Sequence, residues 1–127
     1  MESILSVELP RDPEAPSLAR RAVSDLEPRL GADLMSDMQL LVSELVTNSV
    51  KYGDDGCVRL EVTEAGGRVR TEIVNEGSGF EHVERDGDLD REGGWGLHLV
   101  EHVADDWGAF EGSTHVWFEL DLSRAGR

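Results

Sequence analysis

The run from Met38 to Gly53 reads Met-Gln-Leu-Leu-Val-Ser-Glu-Leu-Val-Thr-Asn-Ser-Val-Lys-Tyr-Gly, and no other segment constrains the fold as much. At about 100° per residue, Met38, Leu41, Val42, Leu45, Val46 and Val50 fall in one broad apolar sector of a helix. Glu44, Asn48 and Lys51 gather at the edge of that sector, spaced so that neighbouring side chains meet. A base, a neutral oxygen ligand and a cation along one seam can handle a metal-bound phosphate. The plainer reading is a solvated helix face, and this segment alone leaves both open.

Composition narrows the classes. A chain of 127 residues is long enough for one domain, residues 1–127, with a real hydrophobic core. Its formal charge of −15 makes nucleic-acid backbone and anionic membrane poor partners. A basic or apolar protein surface fits better. The single cysteine, Cys57, excludes an internal disulfide framework and suits a reducing cytoplasm. The N-terminus has an early Glu and no basic-then-apolar signal pattern, and no apolar stretch approaches membrane-spanning length. The expectation is a soluble, cytoplasmic chain.

Along the sequence, Ser3 to Leu9 alternates before Pro10 and reads as an opening strand. Leu18 to Leu30 reads as a first helix starting near Ser17 and ended by Gly31. Ser36 or Asp37 can cap the second helix, which stops at Gly53, and 53–56 is a turn. Val58, Leu60 and Val62 alternate with Arg59 and Glu61, and Gly66-Gly67 makes a hairpin into Val69 to Val74. Residues 77–94 form an irregular, acidic loop, Leu97 to Asp106 a helix, Trp107 to Glu111 a strand, and Val116 to Leu122 a final strand. This order predicts an α+β fold, a two-layer sandwich in which a mixed or antiparallel sheet is covered on one face by three helices.

Two glycine-bearing segments join the seam. Asn75-Glu76-Gly77-Ser78-Gly79-Phe80 ends a strand, where glycines let backbone approach a flat ligand. Gly93-Gly94-Trp95-Gly96-Leu97 opens a helix, where exposed N–H groups suit an anion such as phosphate. Each is weak singly; both, in this order behind Glu44 and Asn48, are far less ordinary.

With these three motifs in place, the chain resembles the ATP-binding domain of the gyrase, heat-shock chaperone, histidine kinase and mismatch-repair ATPase superfamily, with its Bergerat-type fold. Within it, the chain is most similar to the small bacterial anti-sigma-factor serine/threonine kinases. Leu41 to Gly53 matches the N box, Val74 to Phe80 the first glycine box and Gly94 to Val100 the second. The text from Gly96 to Gly108 also resembles that subfamily. No dimerisation helix with a phospho-accepting histidine precedes residue 36, which argues against a complete sensor kinase.

The resemblance implies ATP and Mg²⁺ as cofactors and assigns roles. Asn48 would ligate Mg²⁺ bridging the phosphates. Glu44 would orient or deprotonate the attacking hydroxyl, of serine in a kinase or water in an ATPase. Gly77 and Gly79 would pass close to adenine. Gly94, Trp95, Gly96 and Leu97 would hold the phosphates at the start of the third helix. Lys51, the only lysine, is either a phosphate contact or a solvated side chain. The implied partners are a small anti-anti-sigma antagonist, as phosphorylation substrate, and a sigma factor bound in exchange. A homodimer is left open. The alternatives are a non-catalytic nucleotide-binding module that sequesters a partner, or a plain ATPase; Glu44 and Asn48 together favour the kinase.

Other candidates have simpler explanations. In residues 81–92, six carboxylates surround Arg85 and Arg91, either of which could meet the phosphates or belong to an acidic surface loop. His98 and His102 have metal-capable spacing, but lie opposite Leu97, Val100 and Val103 without the His-Glu-x-x-His order, so a solvated face is favoured over zinc. Trp107, Trp117 and Phe118 read as core or partner-surface residues. Cys57 lacks the pattern of a nucleophile.

One departure from the family matters. Two residues before Gly77 the family places Asp, which accepts a hydrogen bond from the adenine amino group; here Asn75 stands there. Its carbonyl still accepts, without charge assistance, at a cost of about 1–2 kcal/mol, roughly tenfold in affinity. Its NH₂ can also donate to a guanine O6. Glu76 faces the other side of the strand and does not substitute. Titration with ATP and GTP in Mg²⁺ is therefore expected to show weakened affinity and relaxed adenine selectivity. Strong ATP preference with sub-micromolar affinity would overturn this.

Overall fold

The computed structural model describes residues 2–52, 56–75, 97–110 and 115–123. Strand β1 (Glu2–Leu9) is followed by helix α1 (Ala15–Val23), a 3₁₀ turn at Ser24–Leu26 and the long helix α2 (Glu27–Tyr52). Strands β2 (Val58–Ala65) and β3 (Arg68–Asn75) form a hairpin; then come helix α3 (Leu97–Val103) and strands β4 (Asp106–Phe110) and β5 (His115–Asp121). The strands lie in the order β1-β2-β3-β5-β4, and every pairing is antiparallel. Helices pack on this open sheet, so the α+β expectation holds, with the sheet antiparallel rather than mixed.

Strand alternation decides which face the helices cover. Val58, Leu60 and Val62, with Val69, Thr71 and Ile73 and Val116, Phe118 and Leu120, point inward and are buried. The next residues along each strand form a charged outer face. There Arg70 donates to Glu119 at 3.0 Å, His115 meets Glu72 at 2.9 Å, and the Arg70 guanidinium lies 4.0 Å over the Trp117 ring. The hydrogen bond from Arg68 to Glu119 raises the Arg68 pKa further above its ordinary value. On the inner face, α1 packs on β1, α2 on β2 and β3, and α3 on β4. No helix among the described residues is long and apolar enough to cross a membrane.

Several element boundaries differ from the sequence reading. The first helix begins at Ala15, not near Ser17: Pro16 sits in its first turn, where its missing N–H costs nothing. Asp12, through Oδ1, accepts the Glu14 N–H at 2.8 Å and supplies the turn that Ser17 was expected to supply. The helix stops at Val23 rather than Leu30, because the 3₁₀ turn intervenes. Ser36 and Asp37 do not cap α2; Leu34 and Met35 are already buried in phase with its apolar sector. The helix α3 ends at Val103, since Asp106 is taken into β4 opposite Glu119.

Gly31 does interrupt the helical text, with φ 85° and ψ 163° inside the span of α2. The Gly66-Gly67 turn also forms as expected, both residues at positive φ. The Gly31 conformation is essentially closed to residues with a Cβ. Gly31→Ala is therefore expected to lower unfolding stability by about 1–3 kcal/mol with an unchanged denaturant slope, measured by urea melts. No loss of stability would show that the bend relaxes freely.

Candidate functional site

The apolar stripe of α2 sets the phase in which its polar residues appear. Met38, Leu41, Val42, Leu45 and Val46 are buried, Val50 is half-buried, and Glu44 and Lys51 are exposed. Asn48 falls at the margin and on the inside, only 6% exposed, with Leu45, Val46 and Ser49 buried around it in sequence. Glu44 and Asn48 are one turn apart on the helix, a spacing that brings Cβ atoms to about 5–6 Å. The seam therefore presents an exposed carboxylate, a buried carboxamide and, in the last turn, an exposed ammonium.

Asn48 Nδ2 is buried with no hydrogen-bond partner among the described residues. Burying such a donor unpaired costs about 1–3 kcal/mol. A half-turn about the terminal torsion exchanges Nδ2 and Oδ1, so the same position offers a donor or a neutral oxygen. A neutral oxygen suits a hard cation, and the residues present fit a metal-bound phosphate.

The turn that bears Glu44 is tied to α1 by two bonds and braced within α2 by a third. Arg20 Nη1 donates to Ser43 Oγ at 2.7 Å, Gln39 Nε2 donates to the Arg20 carbonyl at 3.1 Å, and Thr47 Oγ1 donates to the Ser43 carbonyl at 2.7 Å. At the other end of the seam, Arg11 Nη1 donates to the Ser49 carbonyl and Nε to the Gly56 carbonyl at 3.1 Å. A cation at a helix C-terminus is also favoured by the helix dipole, as is Lys51. The sequence reading did not single out Arg11. Its one signal was position, two residues beyond the end of an opening strand, within Pro-Arg-Asp-Pro.

The elements carrying the other expected residues border this helix. Asn75 is the last residue of β3, paired with Val58, and Leu97 the first of α3; both β3 and α3 pack against α2. Gly77, Gly79, Gly94, Trp95 and Gly96, with Arg85 and Arg91, lie outside the described residues. Phe118 is fully buried, Trp107 is half-buried against the core, and Trp117 lies on the outer face. His102 is exposed while Val100 is buried, as expected for a solvated helix face.

Comparison with known proteins identifies the family to which this fold belongs. Residues 9–119 match the histidine kinase-like ATPase domain. The serine-protein kinase RsbW of Listeria monocytogenes serotype 4a is 30% identical over 123 residues, covering 84% of this chain and 78% of the relative. RsbW of Staphylococcus aureus is 28% identical over 123 residues, covering 83% and 77%. The anti-sigma F factor of Clostridium botulinum strain Eklund 17B is 37% identical over 65 residues, covering 48% and 44%. With the match running from the end of β1 into β5, across the whole helical layer, the chain belongs to the histidine kinase-like ATPase domain family.

Proposed function

We propose that the chain is an ATP-dependent serine/threonine protein kinase of the anti-sigma type, acting in the cytoplasm. It would phosphorylate a small anti-anti-sigma antagonist and bind a sigma factor in exchange. The names of its relatives support this reading. The observation that carries it at the site is Asn48, a buried carboxamide whose Nδ2 has no partner among the described residues, one turn from the exposed Glu44.

In this reading Asn48 holds Mg²⁺ through its side-chain oxygen. The ion, when bound, neutralises charge on the nucleotide phosphates. Asn75, Gly77 and Gly79 receive the base, while Lys51, Gly94, Trp95, Gly96 and Leu97 hold the phosphates. The exposed Glu44 stands where a hydroxyl of a protein substrate can arrive. As the serine oxygen bonds to the γ-phosphorus, the bond from that phosphorus to the β–γ bridging oxygen breaks and ADP leaves; Glu44 takes the hydroxyl proton. Phosphate added to the antagonist's interface then expels it and frees the kinase for its other partner. A net charge of −15 fits partners with basic or apolar contact surfaces.

Asn75 favours one second reading. With a neutral residue at the base-reading position, nucleotide could serve only to order the site, and the chain would sequester its partner without chemistry. Incubation with γ-labelled ATP, Mg²⁺ and a candidate antagonist separates the two. The kinase reading expects label on the antagonist that falls about 10²-fold or more in Glu44→Gln, with nucleotide binding kept. Nucleotide binding with no label, and partner capture indifferent to Glu44→Gln, would favour sequestration.

Asn48 yields a second prediction. Removing a buried amide whose nitrogen is unpartnered among the described residues should leave stability nearly unchanged, because the lost packing is offset by relief of the desolvation cost. Asn48→Ala is expected to shift unfolding free energy by less than about 1 kcal/mol while weakening Mg²⁺-dependent ATP binding at least tenfold. Urea melts and nucleotide titration check it. A large stability loss with binding intact would make Asn48 a structural residue.

A further inference from the structure

We propose that Arg11 is a positioning residue, acting through the last turn of α2 to hold Asn48 in place for Mg²⁺. This rests on the nucleotide-binding reading above and extends it to a residue outside the three family motifs.

The geometry begins at the end of the β1–β2 ladder. Leu9 pairs with Val58, and continuing that antiparallel register by two residues sets position 11 opposite position 56. There the ladder gives way to a side chain: Arg11 Nε donates to the Gly56 carbonyl at 3.1 Å. The same guanidinium reaches across with Nη1 to the Ser49 carbonyl. Ser49 is among the last four residues of α2, whose carbonyls lack an N–H from a following helical turn. One planar fork thus fastens the helix end to the start of the β2 approach.

The mount of that fork is itself fixed. Asp12 N–H donates to the Pro10 carbonyl and Ala15 N–H to the Asp12 carbonyl, each at 3.0 Å, and Asp12 Oδ1 accepts the Glu14 N–H at 2.8 Å. These bonds set the backbone on which Arg11 stands, between β1 and α1. Because Ser49 follows Asn48 directly, a carbonyl pinned at Ser49 limits rotation and slippage of the turn that aims the Asn48 side chain. Arg is suited to this and Lys is not, since two carbonyls in different segments need two donors held in one plane.

The test is binding of a fluorescent ATP analogue (mant-ATP) at increasing Mg²⁺, for wild type, Arg11→Met and Arg11→Lys, with thermal melts alongside. The Mg²⁺ concentration giving half-maximal binding is expected to rise about tenfold in Arg11→Met, equivalent to about 1.4 kcal/mol, and by a smaller factor in Arg11→Lys. A merely structural role would lower the melting temperature and leave that concentration unchanged in the folded protein; this overturns the assignment. Arg11→Lys keeps the cation and a single donor nitrogen without the planar fork, so it carries the test if Arg11→Met does not fold. Should wild type bind mant-ATP without any need for Mg²⁺, the role given to Asn48 fails and takes this inference with it. If wild type binds with Mg²⁺ and the variants match it, the inference alone fails.

Discussion

Burial of the apolar stripe of α2 against the inner face of the sheet is the constraint on which the rest of the structure depends. Met38, Leu41, Val42, Leu45 and Val46 are no more than 1% exposed, and they share one core with Leu60, Val62, Val69, Ile73 and Phe118. Each such side chain contributes about 1.5–3 kcal/mol on leaving water. Thr71, a buried polar residue on that inner face, is accommodated by donating from Oγ1 to Met38 Sδ at 3.3 Å. Because the stripe occupies one sector of the helix, its burial also fixes the helix's rotation. A turn of one residue, about 100°, would expose Leu45 or bury Glu44. The same packing that stabilises the fold therefore decides that Glu44 faces water and Asn48 does not.

Much of this was legible because the signals were local and repeated. The alternation of Val58, Leu60 and Val62, the Gly66-Gly67 turn and the period of Met38 to Val50 each specify an element from within a few residues. Boundaries were less legible where a distant partner decides them. Ser17 looks like a cap, yet Asp12 provides the turn, and the choice depends on how β1 hands the chain to α1. Asp106 has helical neighbours, yet the Asp105 N–H donates to the Glu119 carbonyl and Asp106 pairs with Glu119 in the sheet. Tertiary pairing overrode local propensity there.

The candidate site divides in the same way. Glu44, Asn48 and Lys51 could be placed from helical period alone. Their different degrees of burial could not, because Asn48 becomes an inward residue only when the sheet is present. Arg11 was invisible for a stronger reason. Two of its partners, Ser49 and Gly56, are 38 and 45 residues away, and both contribute backbone carbonyls, which leave no trace in side-chain identity. A guanidinium that recognises main chain can be found only once the fold is known.

The contrast between the two faces of the sheet bears on how Asn48 should be understood. On the outer face, Arg68, Arg70, Glu72, His115 and Glu119 meet one another in ion pairs and hydrogen bonds, although water could have satisfied them. On the helical side, where water is scarce, a buried amide nitrogen lacks a protein partner among the described residues. Folding alone would favour the opposite allocation, since an apolar residue at position 48 would avoid the desolvation cost. Uncompensated polar groups in native structures tend to mark where a ligand completes the bonding. Asn48 lies beside an exposed carboxylate, above an exposed ammonium, and on a helix end fastened by Arg11. In that setting the proposed role of Asn48, contact with a bound oxygen-rich ligand, accounts for a burial that the core by itself would not favour.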